Sequence, residues 1–233
     1  MPADSIHDLE AFRADVRAFL RENLPADMAA RNLTAVHQSR QDILGWTGIL
    51  AKKGWSVPKW PVAYGGTGWS ARRLAVFEEE LDLAGAPGNN IQGVSLVGPV
   101  IYSFGSDAQK ARYLQKIRAG EEYWSQGFSE PNSGSDLASL RTRATRDGDS
   151  WVIDGQKIWT SQSMDADMCF VLARTDATVK QQLGISFFLV SLRAPGVTVR
   201  PIRSIDEGES LCEVFFDNVR VPLDSLVGEA GKG

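Results

Sequence analysis

Two short stretches hold most of the side chains that could do chemistry. The denser one runs Gln126-Gly-Phe128-Ser129-Glu130-Pro131-Asn132-Ser133-Gly134-Ser135-Asp136. It offers three hydroxyls, amide side chains and two carboxylates, and its glycines let a ligand approach backbone N–H groups. No lysine lies in it, so it is not a Walker-type phosphate cradle. With Phe128 inside and Trp124 just before, it suits a neutral flat-ring ligand: donors read the ring edge and an aromatic covers the face. The same composition also suits a turn that caps its own backbone. The second stretch is Gln156-Lys157-Ile158-Trp159-Thr160-Ser161-Gln162-Ser163. On an extended strand Trp159 and Ser161 share a face, where they could stack on and hydrogen-bond a conjugated ring. The alternative puts Trp159 in the core and Ser161 at a strand end.

Other chemistries are poorly provided for. Cys169 and Cys212 are isolated thiols, and His7 and His37 are the only histidines. A zinc site, a disulfide scaffold or a Ser-His-Asp triad is hard to build from them. Gly65-Gly66-Thr67-Gly68 follows no clear strand of a βαβ unit, which argues against a dinucleotide loop. Trp46, Trp55, Trp60 and Trp69 read as packing. Arg141, Arg143 and Arg146 alternate with Thr142 and Thr145 as a solvated strand face would. Glu78, Glu79 and Glu80 read as a solvated helix face from which one could pair inward.

The elements that must position these residues change period along the chain. The first half predicts helices over Ser5–Asn23, Gln38–Lys53 and Ser70–Ala84. A fourth runs from a capping box at Ser106 and Gln109 to Gly120. The second half predicts strands. Trp151–Trp159 reads as a hairpin about Asp154-Gly155, followed by Met168–Arg174, Ile185–Leu192, Val197–Ile202 and Cys212–Val221. Strands without intervening helices suggest a sandwich or barrel. The expected class is α+β: an all-helical domain over 1–121, a mostly antiparallel β-barrel domain over 122–228, and a linker-like tail over 229–233. The chain has 233 residues, 43% hydrophobic and 23% charged, enough for a real core. Its net charge of −4 gives no field to attract nucleic acid. Met1–Glu10 lacks a targeting pattern, and no apolar run is long enough to span a bilayer. The expectation is a soluble, cytoplasmic protein with no membrane or metal partner.

Several motifs in order resemble the acyl-CoA dehydrogenase family. They are Gln126 to Leu140, Val152-Ile-Asp-Gly-Gln-Lys-Ile-Trp159-Thr-Ser, Glu213-Val-Phe-Phe-Asp-Asn-Val-Arg-Val-Pro222, Leu226-Val-Gly-Glu229 and, near the front, Trp60-Pro-Val-Ala-Tyr-Gly-Gly66. The resemblance implies a helical N-terminal domain, a β-barrel middle domain and a C-terminal four-helix domain, with FAD as cofactor. It implies that Gln126 lies beside the flavin ring, and that Phe128 and Ser129 contact its edge. It also implies that Gly134 and Ser135 meet the phosphate side, with Ser135 touching the thioester substrate. Trp159 then covers the ring and Ser161 hydrogen-bonds near N5. Ser129 and Ser161 stand where many relatives have Thr.

The implied reaction is α,β-dehydrogenation of an acyl-CoA to the trans-2-enoyl-CoA, as in fatty acid β-oxidation and lipid metabolism. A carboxylate takes the α-proton and flavin N5 takes the β-hydride; an electron-transferring flavoprotein is the acceptor. The family implies a homotetramer or a hetero-oligomer. Its catalytic glutamate belongs to the C-terminal domain, so the base is expected beyond Gly233 and no residue of the 233 is assigned as catalytic. The 233 residues alone are expected to show weak or absent dehydrogenase activity. Two other functions fit the same motifs: a non-catalytic FAD- or acyl-CoA-binding subunit, and an acyl-CoA oxidase. The acyl pocket is expected near Asn89–Gly98, where Gly93 and Gly98 leave space.

Overall fold

The computed structural model describes residues 4–35 and 37–233; the first three residues of the Met1–Glu10 stretch lie outside the described residues. The chain divides into two compact units. One runs to Val94 and includes Leu114–Glu121; the other comprises Ser95–Tyr113 and Glu122–Gly233.

The first unit is built on α1 (Ile6–Asn23), α2 (Ala26–Thr34), α3 (Arg40–Lys53) and α4 (Ala71–Leu83). Ser5 forms a capping box with Asp8, while Ser39 and Ser70 cap α3 and α4. Helix α2 is not predicted, because Pro25 reads as a stop; it is also the N-cap of the next helix. Phe12, Val16 and Leu20 of α1 meet Trp46 and Leu50 of α3 and Val76 and Phe77 of α4 in one core. Trp69 lies edge-on to Trp55 at 5.4 Å and to Phe77 at 5.2 Å, so these tryptophans are packing, as expected. Gly66 abuts the chain itself: a Cβ there would lie 1.6 Å from the Trp60 carbonyl oxygen. The glycines of that loop close a turn. Glu80 is the inward glutamate. Its buried carboxylate accepts from Arg17 Nε at 2.7 Å and from Arg13, joining α4 to α1. The Arg17 hydrogen bond holds this carboxyl below the usual range, against the opposing effect of burial.

Past Asn90, a π-helical turn (Gln92–Val97) leads into α5 (Gly98–Phe104), neither of which is predicted. The helix expected from Ser106 to Gly120 is present as α6 (Asp107–Gln109), a π-helical turn (Lys110–Leu114) and α7 (Gln115–Ala119), and opens on the expected capping box. Gln109 Nε2 also donates to the carbonyls of Asp224 and Leu226 at 2.7 and 2.9 Å.

Eight strands make up the sheet of the second unit: β1 (Trp124–Gly127), β2 (Arg143–Asp147), β3 (Ser150–Ser161), β4 (Met168–Arg174), β5 (Ile185–Ser191), β6 (Val197–Ile202), β7 (Leu211–Pro222) and β8 (Leu226–Val227). The expected barrel is not what they form. They make one mixed sheet, mostly antiparallel, in the order β6-β7-β3-β2-β4-β5-β8, with β1 parallel to β4. Closure would require β6 to pair with β8, and it does not. The sheet is also weakly joined at its middle, where β2 meets β4 at the single pair Arg143↔Arg174. At the end of the chain, Gly231 N–H donates to Ser186 Oγ and Gly233 N–H to the Ile185 carbonyl, both at 2.8 Å.

The predicted hairpin is displaced. The turn falls at the other Asp-Gly pair, Asp147-Gly148, with Gly148 and Asp149 forming the loop between Asp147 of β2 and Ser150 of β3, while β3 runs on through Asp154-Gly155. Both dipeptides carry the same local signal. Tertiary packing separates them: Gly148 (φ 62°) has open space about it, whereas a Cβ on Gly155 (φ 149°) would lie 2.6 Å from Thr142 Cα.

Two stability predictions follow from these contacts. Gly155→Ala is expected to lower unfolding free energy by about 2–4 kcal/mol, from backbone overlap and strain, while Gly148→Asn changes it by less than about 1 kcal/mol. Urea melts of the two variants check this; equal effects would contradict the turn assignment. Glu80→Gln is expected to cost about 1.5–3 kcal/mol at neutral pH. Because Glu80's carboxyl is lowered on folding, its contribution is present above the ordinary Glu range and disappears as pH falls through the lowered value. The gap between wild type and variant in acid melts should therefore close at low pH.

Candidate functional site

Strand β3 is the platform, and two irregularities shape it. The first is an extra residue on β7 between the pairs Ile153↔Val219 and Gly155↔Phe216. Asn218 turns left-handed there (φ 49°), and its N–H donates to Asp154 Oδ1 at 2.9 Å. The second is an extra residue on β3 itself, between Lys157↔Val214 and Thr160↔Cys212. It sets buried residues three apart, Lys157 and Thr160, where a regular strand would bury them at even spacing. Trp159 is expelled from the ladder: its φ is 61° and it is 57% exposed. A left-handed conformation in so bulky a residue is strained, and such strain gathers at functional sites. Ser161, two residues on, is half-buried on the side opposite Thr160. The core alternative for Trp159 therefore does not hold.

Strand β1 lies alongside the second half of β3. Ile158 N–H donates to the Ser129 carbonyl at 2.9 Å, and Tyr123 Oη donates to Gln162 Oε1 at 2.5 Å. These two contacts run the chain from Tyr123 to Ser129 antiparallel to β3. Gln126 is thus brought across from the Thr160–Ser161 region, and Ser129 beside Ile158 and Trp159. Phe128 is half-buried, edge-on to Phe170 at 5.6 Å and to Phe187 at 6.4 Å, which are themselves stacked at 5.5 Å. Gly134 and Ser135 lie farther along the loop and are exposed. Among the described residues, no hydrogen bond or ring contact ties them to Trp159 or Ser161.

Beneath the loop sits a pair that sequence reading missed. Lys157 is fully buried; its Nζ donates to Glu130 Oε1 at 2.8 Å and to the Phe128 carbonyl at 3.0 Å. Glu130, also buried, accepts in addition from Arg141 N–H at 2.6 Å and Thr142 N–H at 2.8 Å. Burial opposes its ionisation, but the hydrogen bonds from Lys157 and Thr142 outweigh this and hold the carboxyl below the usual range. Burial pushes the Lys157 amine down, and Glu130 opposes that. The signal was a lysine inside an otherwise β-patterned run, 27 residues from the carboxylate it meets. Arg174 secures the loop's far end by donating to the carbonyls of Ala138 and Leu140 at 2.6 and 3.1 Å. Among the described residues no His, Cys, Asp and Glu cluster could hold a metal, and no helix is long and apolar enough to cross a membrane.

Comparison with known proteins shows what the chain resembles. The family model described as the acyl-CoA dehydrogenase N-terminal domain matches residues 7–121, and the middle-domain model matches 125–219. The chain is 42% identical over 98% of its length to acyl-CoA dehydrogenase IpdE1 of Mycobacterium tuberculosis, covering 60% of that protein. It superimposes on the solved Tcur3481-Tcur3483 steroid ACAD with a TM-score of 0.84 at 35% identity, covering 100% of this chain and 60% of that one. It superimposes on the ChsE4-ChsE5 complex of Mycobacterium tuberculosis with a TM-score of 0.83 at 33% identity, covering 100% and 59%. The chain thus spans about three fifths of the length of the relatives it matches.

The exposure of Trp159 yields a direct check. Trp159→Gly is expected to leave urea stability of the ligand-free protein within about 1 kcal/mol of wild type or above it, since glycine accepts the left-handed backbone. A loss of about 3–5 kcal/mol, the range for a core tryptophan, would contradict the placement.

Proposed function

The chain belongs to the acyl-CoA dehydrogenase family, and on that premise we propose that it forms the flavin-holding part of an FAD-dependent enzyme that dehydrogenates an acyl-CoA thioester between Cα and Cβ. One observation supports this above the others: Phe128-Ser129 and the strained, exposed Trp159 are drawn side by side by the Ile158–Ser129 hydrogen bond. The donor set fits a flavin. Hydroxyls of Ser129 and Ser161 and the loop's N–H groups suit the heteroatoms of a conjugated ring edge, and an indole with no packing duty suits its face. In this reading Gln126, Phe128, Ser129, Trp159 and Ser161 hold the ring. Gly134 and Ser135 serve the phosphate side, and Ser135 the thioester substrate.

When bound, FAD supplies the hydride acceptor at N5. The protein's own part is to orient the ring, screen one face with Trp159 and donate from Ser161. Glu130 is not the group that takes the α-proton. Its carboxylate is buried and engaged by Lys157 and two backbone N–H groups. The base in this reading comes from beyond Gly233, and the hydrogens leave as a proton to that base and a hydride to the cofactor. The middle domain is expected over 122–228. The two-component assembly of the ChsE4-ChsE5 relative favours a hetero-oligomer, and the likeness to a steroid ACAD favours a bulky acyl group. An electron-transferring flavoprotein as acceptor, and the cytoplasm with its reduced thiols, complete the reading; Cys169 and Cys212 are both free and buried.

The test uses the full-length polypeptide with any partner subunit, reconstituted with FAD. A yellow protein whose flavin band bleaches on anaerobic addition of acyl-CoA is the expected result. Ser161→Ala should slow bleaching by about 10–100-fold, the worth of one charge-assisted hydrogen bond in the rate. A colourless protein overturns the flavin reading. A coloured protein that never bleaches with any acyl-CoA indicates a binding subunit, and stoichiometric peroxide in air indicates an oxidase.

A further inference from the structure

Lys157 is placed to do more than balance a charge. Its ammonium has two acceptors: the Glu130 carboxylate, and the carbonyl of the peptide that joins Phe128 to Ser129. The Ser129 carbonyl is taken by Ile158 N–H. Both carbonyls of the segment are therefore committed to β3, and what the segment offers outward is the Ser129 N–H and hydroxyl. A peptide whose carbonyl accepts from a cation in a low-dielectric interior is polarised, and its N–H becomes a stronger donor. We propose that Lys157 is a positioning residue for flavin recognition: through the Phe128 carbonyl it fixes and polarises the Phe128–Ser129 peptide, whose N–H then binds the reduced flavin more tightly than the oxidised one.

This rests on the flavin reading above and adds a claim that reading does not need. Reduction adds electron density to the ring heteroatoms, so a strengthened donor at the ring edge favours the reduced form. The groups facing the Lys157 ammonium are few. Glu130 approaches from the loop, and Cys169 from β4, where a Cβ on the neighbouring Gly127 would lie 3.0 Å from its sulfur and 3.5 Å from Lys157 Cγ. Burial pushes the Cys169 thiol up to about 12, so it stays neutral and, among the described residues, Glu130 supplies the counter-charge. Removing that counter-charge leaves a buried amine that holds its proton less well, because desolvation disfavours the ammonium.

The experiment takes the full-length, FAD-loaded enzyme and measures flavin affinity in both redox states, as the midpoint potential and the dissociation constant of oxidised FAD. Lys157→Met keeps the aliphatic stem and removes the charge. Its ratio of reduced to oxidised flavin affinity is expected to fall about tenfold, a shift of about 30 mV to more negative potential. Glu130→Gln supplies the second arm, and carries the test if Lys157→Met does not fold. It is expected to lose affinity for reduced flavin by about fivefold or more relative to wild type as pH is raised and Lys157 gives up its proton. A structural prop alone would weaken both redox states equally and at every pH. Flavin-loaded Lys157→Met with the wild-type potential, or a Glu130→Gln profile without pH dependence, overturns the inference and leaves the flavin reading standing. A wild-type enzyme that takes up no FAD overturns the flavin reading and this inference with it.

Discussion

The second unit depends on how a buried ammonium is satisfied. A lysine with no solvent contact costs several kcal/mol unless it is paired and hydrogen-bonded. Lys157 meets that demand only if the chain from Phe128 to Glu130 lies against β3 and the backbone at Arg141 and Thr142 closes over Glu130. One ion pair thus fixes two separate points of a loop that otherwise has little hydrophobic content. It is weak evidence for stability in itself, since an apolar pair of the same volume could do as well. Its effect is geometric: it gives the Phe128–Ser129 backbone a single position relative to β3.

The extra residue in β3 acts on the other side of the same junction. It lets Lys157 and Thr160 both be buried and turns Trp159 outward with a left-handed backbone. Had the strand been regular, Lys157, Trp159 and Ser161 would have shared one face. A buried cation and an exposed indole would then have competed for it. The bulge and the ion pair are two halves of one solution, in which the charge goes under the loop and the aromatic stands beside it.

Local patterns were legible where local rules decide the outcome. The starts of α1 and α4 at Ser5 and Ser70, the capping box of α6, the apolar run of β4 and the inward turn of one of three glutamates could all be read from spacing. Where two equal signals compete, they could not. Asp147-Gly148 and Asp154-Gly155 look alike, and only the closeness of Thr142 to Gly155 tells which one can be a turn. Barrel closure fails for a related reason, since strand patterns say nothing about whether β6 reaches β8. In the candidate site, Phe128, Ser129, Trp159 and Ser161 stood out by residue type, helped by the order of family motifs. Glu130 and Lys157 did not, because a long-range ion pair leaves no periodic trace. The bulge was equally invisible, so the same-face relation of Trp159 and Ser161 was read from an alternation that β3 breaks between Lys157 and Thr160.

The central claim is that the 126–136 loop and the segment 157–163 at and just past the end of β3 form one flavin-binding surface. Hydrogen–deuterium exchange of the full-length protein with and without FAD tests it most directly. The account predicts that both segments gain protection together on FAD addition, with little change in β6 at the sheet's far edge. Protection of only one segment, or of neither while FAD is demonstrably bound, would contradict it.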